Sequence, residues 1–552
     1  MLRTISKLFT ETDQLKRAFC QVIVKAAKQI PDTATREQIN SISLSIPHIK
    51  EVVTDFTNIL IDDDLIYPFV GVGRFYKEQG FYQLAEPWYT QCLSMTRNHF
   101  GNDHVSIASS LNELAGLYFV QGNYAKTELL YAEALHIIEQ DLGVMHPGVG
   151  SIYNNLGYTY YTQGRYAKVE NLYRKALELK GKFPEIDDIN FPATLNNLGL
   201  LYESQGDANT AEIYYKQALD LARHLWGDQH LHTTRSLNNL AVHYHRQGDF
   251  KKAEILYLRA FEINQNLLPN DHPSIIISLN NLANLNCDQG NYSNAESLIL
   301  KALKLHQTIF GHNHPDQAAI LVSLANIYCI QTRYSEAEFL LLDALNIDKN
   351  CFGNQHPNVA NSSNNLAGIY DAQEHYDEAE VLYKEALFIR IQSQPYNHAG
   401  IAIILNNLGG LRYKQGHHTE AEDFYAESLS HYKRIGGKAS PEMTTCLGNL
   451  GMLYRSQERY REAERLLVQT LEFNETFFEK DHPIIATSLN NLAGLYELQN
   501  RYVESEKMFV RALSISEQCL GANHPDTNHV RENLEKLRSR TIEKIDRHGT
   551  HS

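Results

Sequence analysis

The stretch SLNNLAGLYELQN, residues 488–500, decides how the whole chain is read. Leu489, Leu492, Ala493 and Tyr496 fall at i, i+3, i+4 and i+7, which is one apolar stripe of a helix. Steps of 42 residues from Tyr496 reach Tyr454, Arg412, Tyr370, Tyr328, Asn286, Tyr244, Tyr202, Tyr160, Tyr118 and Tyr76. These are eleven registers without insertion or deletion. Three residues before the anchor every register has Gly or Ala, from Gly73 to Ala493. Three after it all have Gln, from Gln79 to Gln499, and ten after it all have Glu, from Glu86 to Glu506. Self-similarity at a fixed period of this length is the mark of a solenoid.

Each unit holds two helical patterns. After the first comes a short turn, such as Gln247-Gly248 or Gln499-Asn500, where Gly or Asn takes the left-handed conformation that ends a helix. A second stripe follows, Tyr502, Ser505, Phe509, Ala512 and Leu513 in the last unit. The unit closes with a loop such as GANHPDT at 521–527, whose Pro525 suits the first turn of the next helix. Gly or Ala in the first helix and Ala in the second let the pair approach closely; a larger side chain there costs ~1–3 kcal/mol by overpacking. One pair cannot bury its stripes alone, so the pairs must stack.

The pattern Leu-Gly/Ala-x-x-Tyr, followed by Ala, an aromatic and Ala, resembles the tetratricopeptide repeat. The 42-residue version, NNLA…Y…QG…Y…AE…LY…AL…G…HP, is similar to the repeats of kinesin light chain and its bacterial relatives. The resemblance covers 66–527 and implies an all-α right-handed solenoid of eleven helix-turn-helix units. Residues 1–65 are expected as a separate N-terminal helical segment, with one helix ended by Pro31 and a second broken near Pro47. Residues 528–552 are expected as a solvated capping helix and a tail that frays from about 539. No sustained heptad of the kind that joins kinesin light chain to its motor runs through 1–65. The segment 46–88 also resembles the junction where bacterial signalling NTPases join their repeat arrays. Gly71-x-Gly73 leads to Tyr76 rather than a third glycine, however, and no G-x-x-x-x-G-K-[ST] occurs.

The 552 residues carry 50 Lys+Arg against 65 Asp+Glu, a formal net charge of -15, which argues against broad binding to nucleic acid or an anionic membrane. No apolar run reaches the ~18 residues of a membrane span. Seven cysteines without a C-x-x-C pair read as reduced thiols of a cytoplasmic protein. No catalytic motif is found, and no enzyme activity or cofactor is expected. Nine histidines share one repeat position: His104, His146, His230, His272, His314, His356, His398, His482 and His524. They are expected to cap the following helices. Successive copies on helices ~8–10 Å apart are too far from one another to share a metal, and no metal site is expected.

The asparagines are the informative polar feature. Asn490 has counterparts at Asn112, Asn154, Asn196, Asn238, Asn280, Asn364 and Asn406, a row broken by Val322 and Gly448. The resemblance places this face on the concave groove. An amide both donates and accepts, so a regular ladder of amides can hold the backbone of an extended peptide, or tie neighbouring helices together; both readings stay open. On the first, Asn196, Asn238 and Asn280 face solvent. The cluster Arg235, His245 and Arg246 is the candidate grip for an acidic side chain. The expected function is a non-catalytic scaffold that binds a protein or extended peptide in its groove. The alternatives are a sensor arm serving a separate signalling NTPase and a kinesin-light-chain-like cargo adaptor.

Overall fold

A computed structural model describes residues 13–30, 35–144, 146–182, 190–392, 397–436, 440–478 and 480–549. Among them every regular element is helical. Helices α1 (Asp13–Lys28) and α2 (Arg36–Asp55) come first. Helix pairs then run from Tyr67–Lys77 with Tyr82–Phe100 (repeat 1) to Pro483–Leu498 with Tyr502–Cys519 (repeat 11). A last helix, Pro525–Gly549, closes the array. Its Leu534 and Leu537 bury against Ala493 and Phe509, so it covers the apolar face that repeat 11 exposes.

Two expectations at the edges change. Helix α2 begins on a capping box made by Thr35 and Gln38 and runs unbroken through Pro47. Ile46 and Ile49, on either side of the proline, are buried against Ile23 and Val72. That packing holds the helix across the hydrogen bond that proline cannot donate. The last helix extends to Gly549 instead of fraying from 539. Pro31, and Thr550 to Ser552, lie outside the described residues.

The repeat pattern has its physical cause between helices. At Gly157, Gly199 and Gly409 an added Cβ would stand 2.5–2.8 Å from the rings of Tyr173, Tyr215 and Tyr425, so the small residue is the socket for a buried tyrosine. The recurring Glu accepts a hydrogen bond from the anchor Tyr of the next repeat. Tyr118 donates to Glu86 at 2.8 Å, Tyr160 to Glu128 at 2.6 Å, Tyr202 to Glu170 at 2.8 Å and Tyr244 to Glu212 at 2.6 Å. Where Arg412 replaces the tyrosine, it pairs with Glu380.

Successive first helices touch one another from repeat to repeat, while successive second helices come into no comparable contact. The first helices therefore form the inner layer, with the shorter circumference. The coil is tight enough to close on itself. His314 Nε2 donates to the Glu78 carbonyl at 3.0 Å, His356 Nε2 to Val120 at 3.2 Å and His482 Nε2 to Arg246 at 2.9 Å, each across 236 residues. Asn397 Nδ2 reaches the Thr162 carbonyl at 3.1 Å. One turn of the superhelix thus takes between five and six repeats, and the second turn rests on the first along a seam.

At four first-helix ends the seam adds a second reason for glycine to that of the left-handed turn. Gly80, Gly122, Gly164, Gly206, Gly248 and Gly290 all have positive φ, in repeats 1 to 6. At Gly80 an added Cβ would stand 2.5 Å from Pro315, and at Gly122, Gly248 and Gly290 it would stand 2.8 Å from His356, His482 and His524. Repeats 7, 8, 10 and 11 have no turn above them. They place Thr332, Glu374, Glu458 and Asn500 at the same corner, with φ of 60–63°, while repeat 9, where nothing packs on the corner, keeps Gly416.

Candidate binding surface: the inner wall

Eight of the nine recurring histidines cap the next helix as expected, Nδ1 accepting the N–H two residues on, for example His356 from Asn358 at 3.0 Å and His482 from Ile484 at 3.1 Å. His398 is the exception. It is the first residue of its helix, and Asn397 caps in its place through Gly400 N–H.

The amide ladder runs along the inner layer. Asn155 Nδ2 donates to Asn112 at 3.1 Å, Asn197 to Asn154 at 3.0 Å, Asn407 to Asn364 at 2.9 Å, Asn449 to Asn406 at 3.0 Å and Asn533 to Asn490 at 3.0 Å. Each bond joins one first helix to the next. The doubled Asn is the sequence signal for this: the first amide accepts from the repeat that follows, and the second donates to the repeat before. Asn196 is 2% exposed and reaches Ser236 at 3.4 Å, so it does not stand open to solvent. Asn238 and Asn280 are half-buried, and their carbonyl oxygens are buried without a partner.

Asn154 shows the size of the effect. Its Oδ1 accepts from both Asn197 and Thr194, each at 3.0 Å. Asn154→Ala removes the shared acceptor of buried Thr194 and half-buried Asn197, and removing one partner of such a bond costs ~1–3 kcal/mol. A fall in stability of about 2–4 kcal/mol is expected in chemical denaturation, while Asn490→Ala, at the end of the array, loses less.

A second ladder joins the C-terminal ends of the first helices. Glu203, which the sequence offers as a negative charge of the groove, is its hub: it accepts from His243 Nδ1 at 2.9 Å and pairs with Arg246 at 2.6 Å. Burial pushes its carboxyl up, but the His243 hydrogen bond and the Arg246 charge outweigh this and hold it below the usual range. His245 pairs with Asp288 at 2.8 Å and Lys414 with Asp371 at 2.8 Å. Of the three residues of the basic cluster, His245 and Arg246 are therefore already neutralised by neighbours one repeat away. Arg235 is exposed, has no carboxylate against it among the described residues, and has enough protein around it that burial pulls its pKa down. Arg455 also lacks an acidic partner, and its guanidinium lies over Gly494, where a Cβ would come within 2.8 Å.

The seam opens at repeat 10. Where the other turns carry His or Asn, repeat 10 has Ser440, too short to reach across. A cavity of about 730 Å3 lies there, lined by Tyr161, Tyr166, Glu203, Arg246, Tyr432 and Phe478. Among the described residues no helix is long and apolar enough to cross a membrane.

Family models described as tetratricopeptide repeat match residues 71–106, 106–182, 191–266, 274–350, 322–392, 400–476 and 485–526. No curated protein matches. Among solved structures the chain is similar to BtubC (BKLC) from P. vanneervenii, at 22% identity over 43% of this chain and 91% of that one, with a TM-score of 0.32. It is also similar to a kinesin light chain from Podosopora anserina with nearly identical TPR-like repeats, at 22% identity over 38% of this chain and 100% of that one, TM-score 0.32. A third is a Rap protein complexed with Competence and Sporulation Factor, at 13% identity over 64% of this chain and 99% of that one, TM-score 0.41. The matched segments extend over most of the array, and the helix pairs, the glycine sockets and the tyrosine anchors carry the pattern the models describe. The chain belongs to the tetratricopeptide repeat family.

Proposed function

We propose that this protein is a non-catalytic scaffold that binds a protein partner, as an extended segment, on the inner wall of its coil. Tetratricopeptide solenoids are protein-binding scaffolds, and this chain has the fold. Residues 66–527 form the binding array, residues 1–65 and 528–552 cover its ends, and the protein works in the cytoplasm. The observation that carries the reading is Arg235. It is an exposed cation with no carboxylate against it among the described residues, on a wall where Arg246, His245 and Lys414 are paired. A carboxylate of the partner supplies the missing charge, with a bidentate geometry that Arg favours. Asn238 and Asn280 are half-buried on the same wall; their carbonyl oxygens are buried, so any contact they make with an extended chain is through the exposed part of the amide. The remaining amides of the row, Asn112, Asn154, Asn364, Asn406 and Asn490, already accept from neighbouring repeats and act by holding the wall in register.

Charge reversal tests this. Arg235→Glu is expected to weaken capture of the native partner at least tenfold, since losing a charge-assisted bond at ~1.5–3 kcal/mol is a factor of ten or more. Arg235→Lys should retain part of it. Circular dichroism and thermal melting of the same variant establish that the protein compared is folded. Unchanged capture by Arg235→Glu in a folded protein would remove the residue, and with it the acidic contact, from the site.

A further inference from the structure

Position 306 differs from its counterparts in the other repeats. Its equivalents Asn264, Asp348 and Asn474 are buried polar residues, each bonded to a serine fourteen residues later, at Ser278, Ser362 and Ser488. In this repeat that partner is Ile320. His306 is 1% exposed, and neither ring nitrogen has a hydrogen-bond partner. The Gln317 side chain comes near without completing a bond, and its own Oε1 is also buried and unpaired. A buried imidazole left in this state costs several kcal/mol unless something pairs with it.

What lies beside it is a donor set. Ligand atoms of His306, His314 and Asp316 all fall within 4.8 Å of one another, the one such group of three among the described residues. His314 presents the correct nitrogen. Its Nε2–H is committed to the Glu78 carbonyl, which fixes the lone pair on Nδ1, 3.9 Å from Asp316 Oδ2. A backbone carbonyl on the distal nitrogen is the usual support of a metal-binding histidine. Nδ1 now accepts only the Asp316 N–H, at 3.2 Å, a helix-end donor that water can satisfy. A cavity of about 420 Å3, lined by Ile39, Phe75, Ile277 and the same three residues, gives room for a fourth ligand.

We propose that His306, His314 and Asp316 bind a divalent transition-metal ion of the zinc class, with an open fourth position toward the cavity. Two imidazoles and one carboxylate are the donors that zinc takes in three-ligand sites. Donors around zinc stand roughly 3.3 Å apart, given bonds of ~2.0–2.1 Å in tetrahedral geometry, so side-chain rotations close the site around the ion. The ion sits at the seam. It satisfies His306 and fastens repeat 7 against the carbonyl end of the first helix of repeat 1.

The test uses the untagged full chain, stripped with a chelator and titrated with Co2+ followed by visible absorption, then displaced with Zn2+. The expected result is one saturable equivalent with the intense d–d bands of four- or five-coordinate cobalt. His306→Ala and Asp316→Ala should each weaken binding at least tenfold. Asp316 is exposed, so its variant keeps the fold even if His306→Ala disturbs packing. His524→Ala should leave binding unchanged, since His524 and Asp526 repeat the cap but have Ser516 in place of His306. Absence of saturable binding at one equivalent, or binding that survives both His306→Ala and Asp316→Ala, overturns the proposal.

Discussion

Gly122→Ala combined with Gly248→Ala is expected to open the coil while leaving its helices intact. Both glycines have positive φ, 69° and 79°, and an added Cβ at each would stand 2.8 Å from a seam histidine. A matched pair separates this from ordinary turn strain. Gly164 and Gly416 have φ of 69° and 81°, but their Cβ positions meet nothing within 4 Å. Both double variants lose about 1–2 kcal/mol per site from the left-handed backbone. Only the first also displaces His356 and His482 from the Val120 and Arg246 carbonyls. Small-angle scattering should show a larger radius of gyration for Gly122→Ala/Gly248→Ala and none for the control pair, at equal helix content. Equal expansion of both would trace the effect to the turns alone.

Acid should open the same seam. His356 faces the Val120 carbonyl, the Asn358 N–H, the Phe352 ring and the Arg390 guanidinium. His482 faces the Arg246 carbonyl, the Ile484 N–H and the Phe478 ring, with Asp288 and His245 beyond. Burial pulls both imidazoles down from 6.5 to about 4. A depressed histidine pKa favours the closed form fully above pH 6.5. The contribution is lost as pH falls toward 4, because an opened or unfolded chain takes up protons that the closed seam refuses. For His356, which is 7% exposed, this amounts to on the order of 3 kcal/mol. Protonation also destroys the Nδ1 cap, since that nitrogen then has no lone pair. Parting of the turns relieves the penalty without melting helices, so expansion should precede loss of helicity between pH 6.5 and 4. His356→Gln/His482→Gln should flatten the transition. Helicity and compactness lost together in the wild type would contradict a seam that opens by itself.

The repeat, its two helices and its stacking were legible because they are local and recur. Leu, Gly/Ala and Tyr at helical spacing specify each pair, and the period repeats the specification eleven times. The seam was not legible in the same way. His314 and Glu78 are 236 residues apart, and the contact depends on how small inter-repeat rotations accumulate, which no single unit encodes. A partial trace was present in the unbroken run of glycines that end the first helices of repeats 1 to 6, against Thr332, Glu374, Glu458 and Asn500 in four of the five repeats beyond, repeat 9 keeping Gly416. A left-handed turn alone accounts for either residue type; seam contacts add a further constraint at Gly80, Gly122, Gly248 and Gly290. The recurrence of the amides was legible, but a single-helix view could not show that adjacent asparagines serve opposite neighbours. The basic cluster failed as a unit for a related reason. Glu203 and Asp288 pair with Arg246 and His245 from the flanking repeats, and among the described residues Arg235 has no such neighbour.

Site-specific photo-crosslinking tests the inner-wall reading most directly. A benzophenone side chain placed at Ile277, Thr445 or Thr487, exposed on first helices, is compared with one at Ile255, Phe339 or Val381, exposed on second helices. Each variant is irradiated in extract of the cells the protein comes from, and adducts are resolved by mass. A discrete adduct, with the same partner from the first-helix positions and none from the second-helix positions, is the predicted result. The same partner captured from the second-helix positions alone would place binding on the outside of the coil and contradict the account.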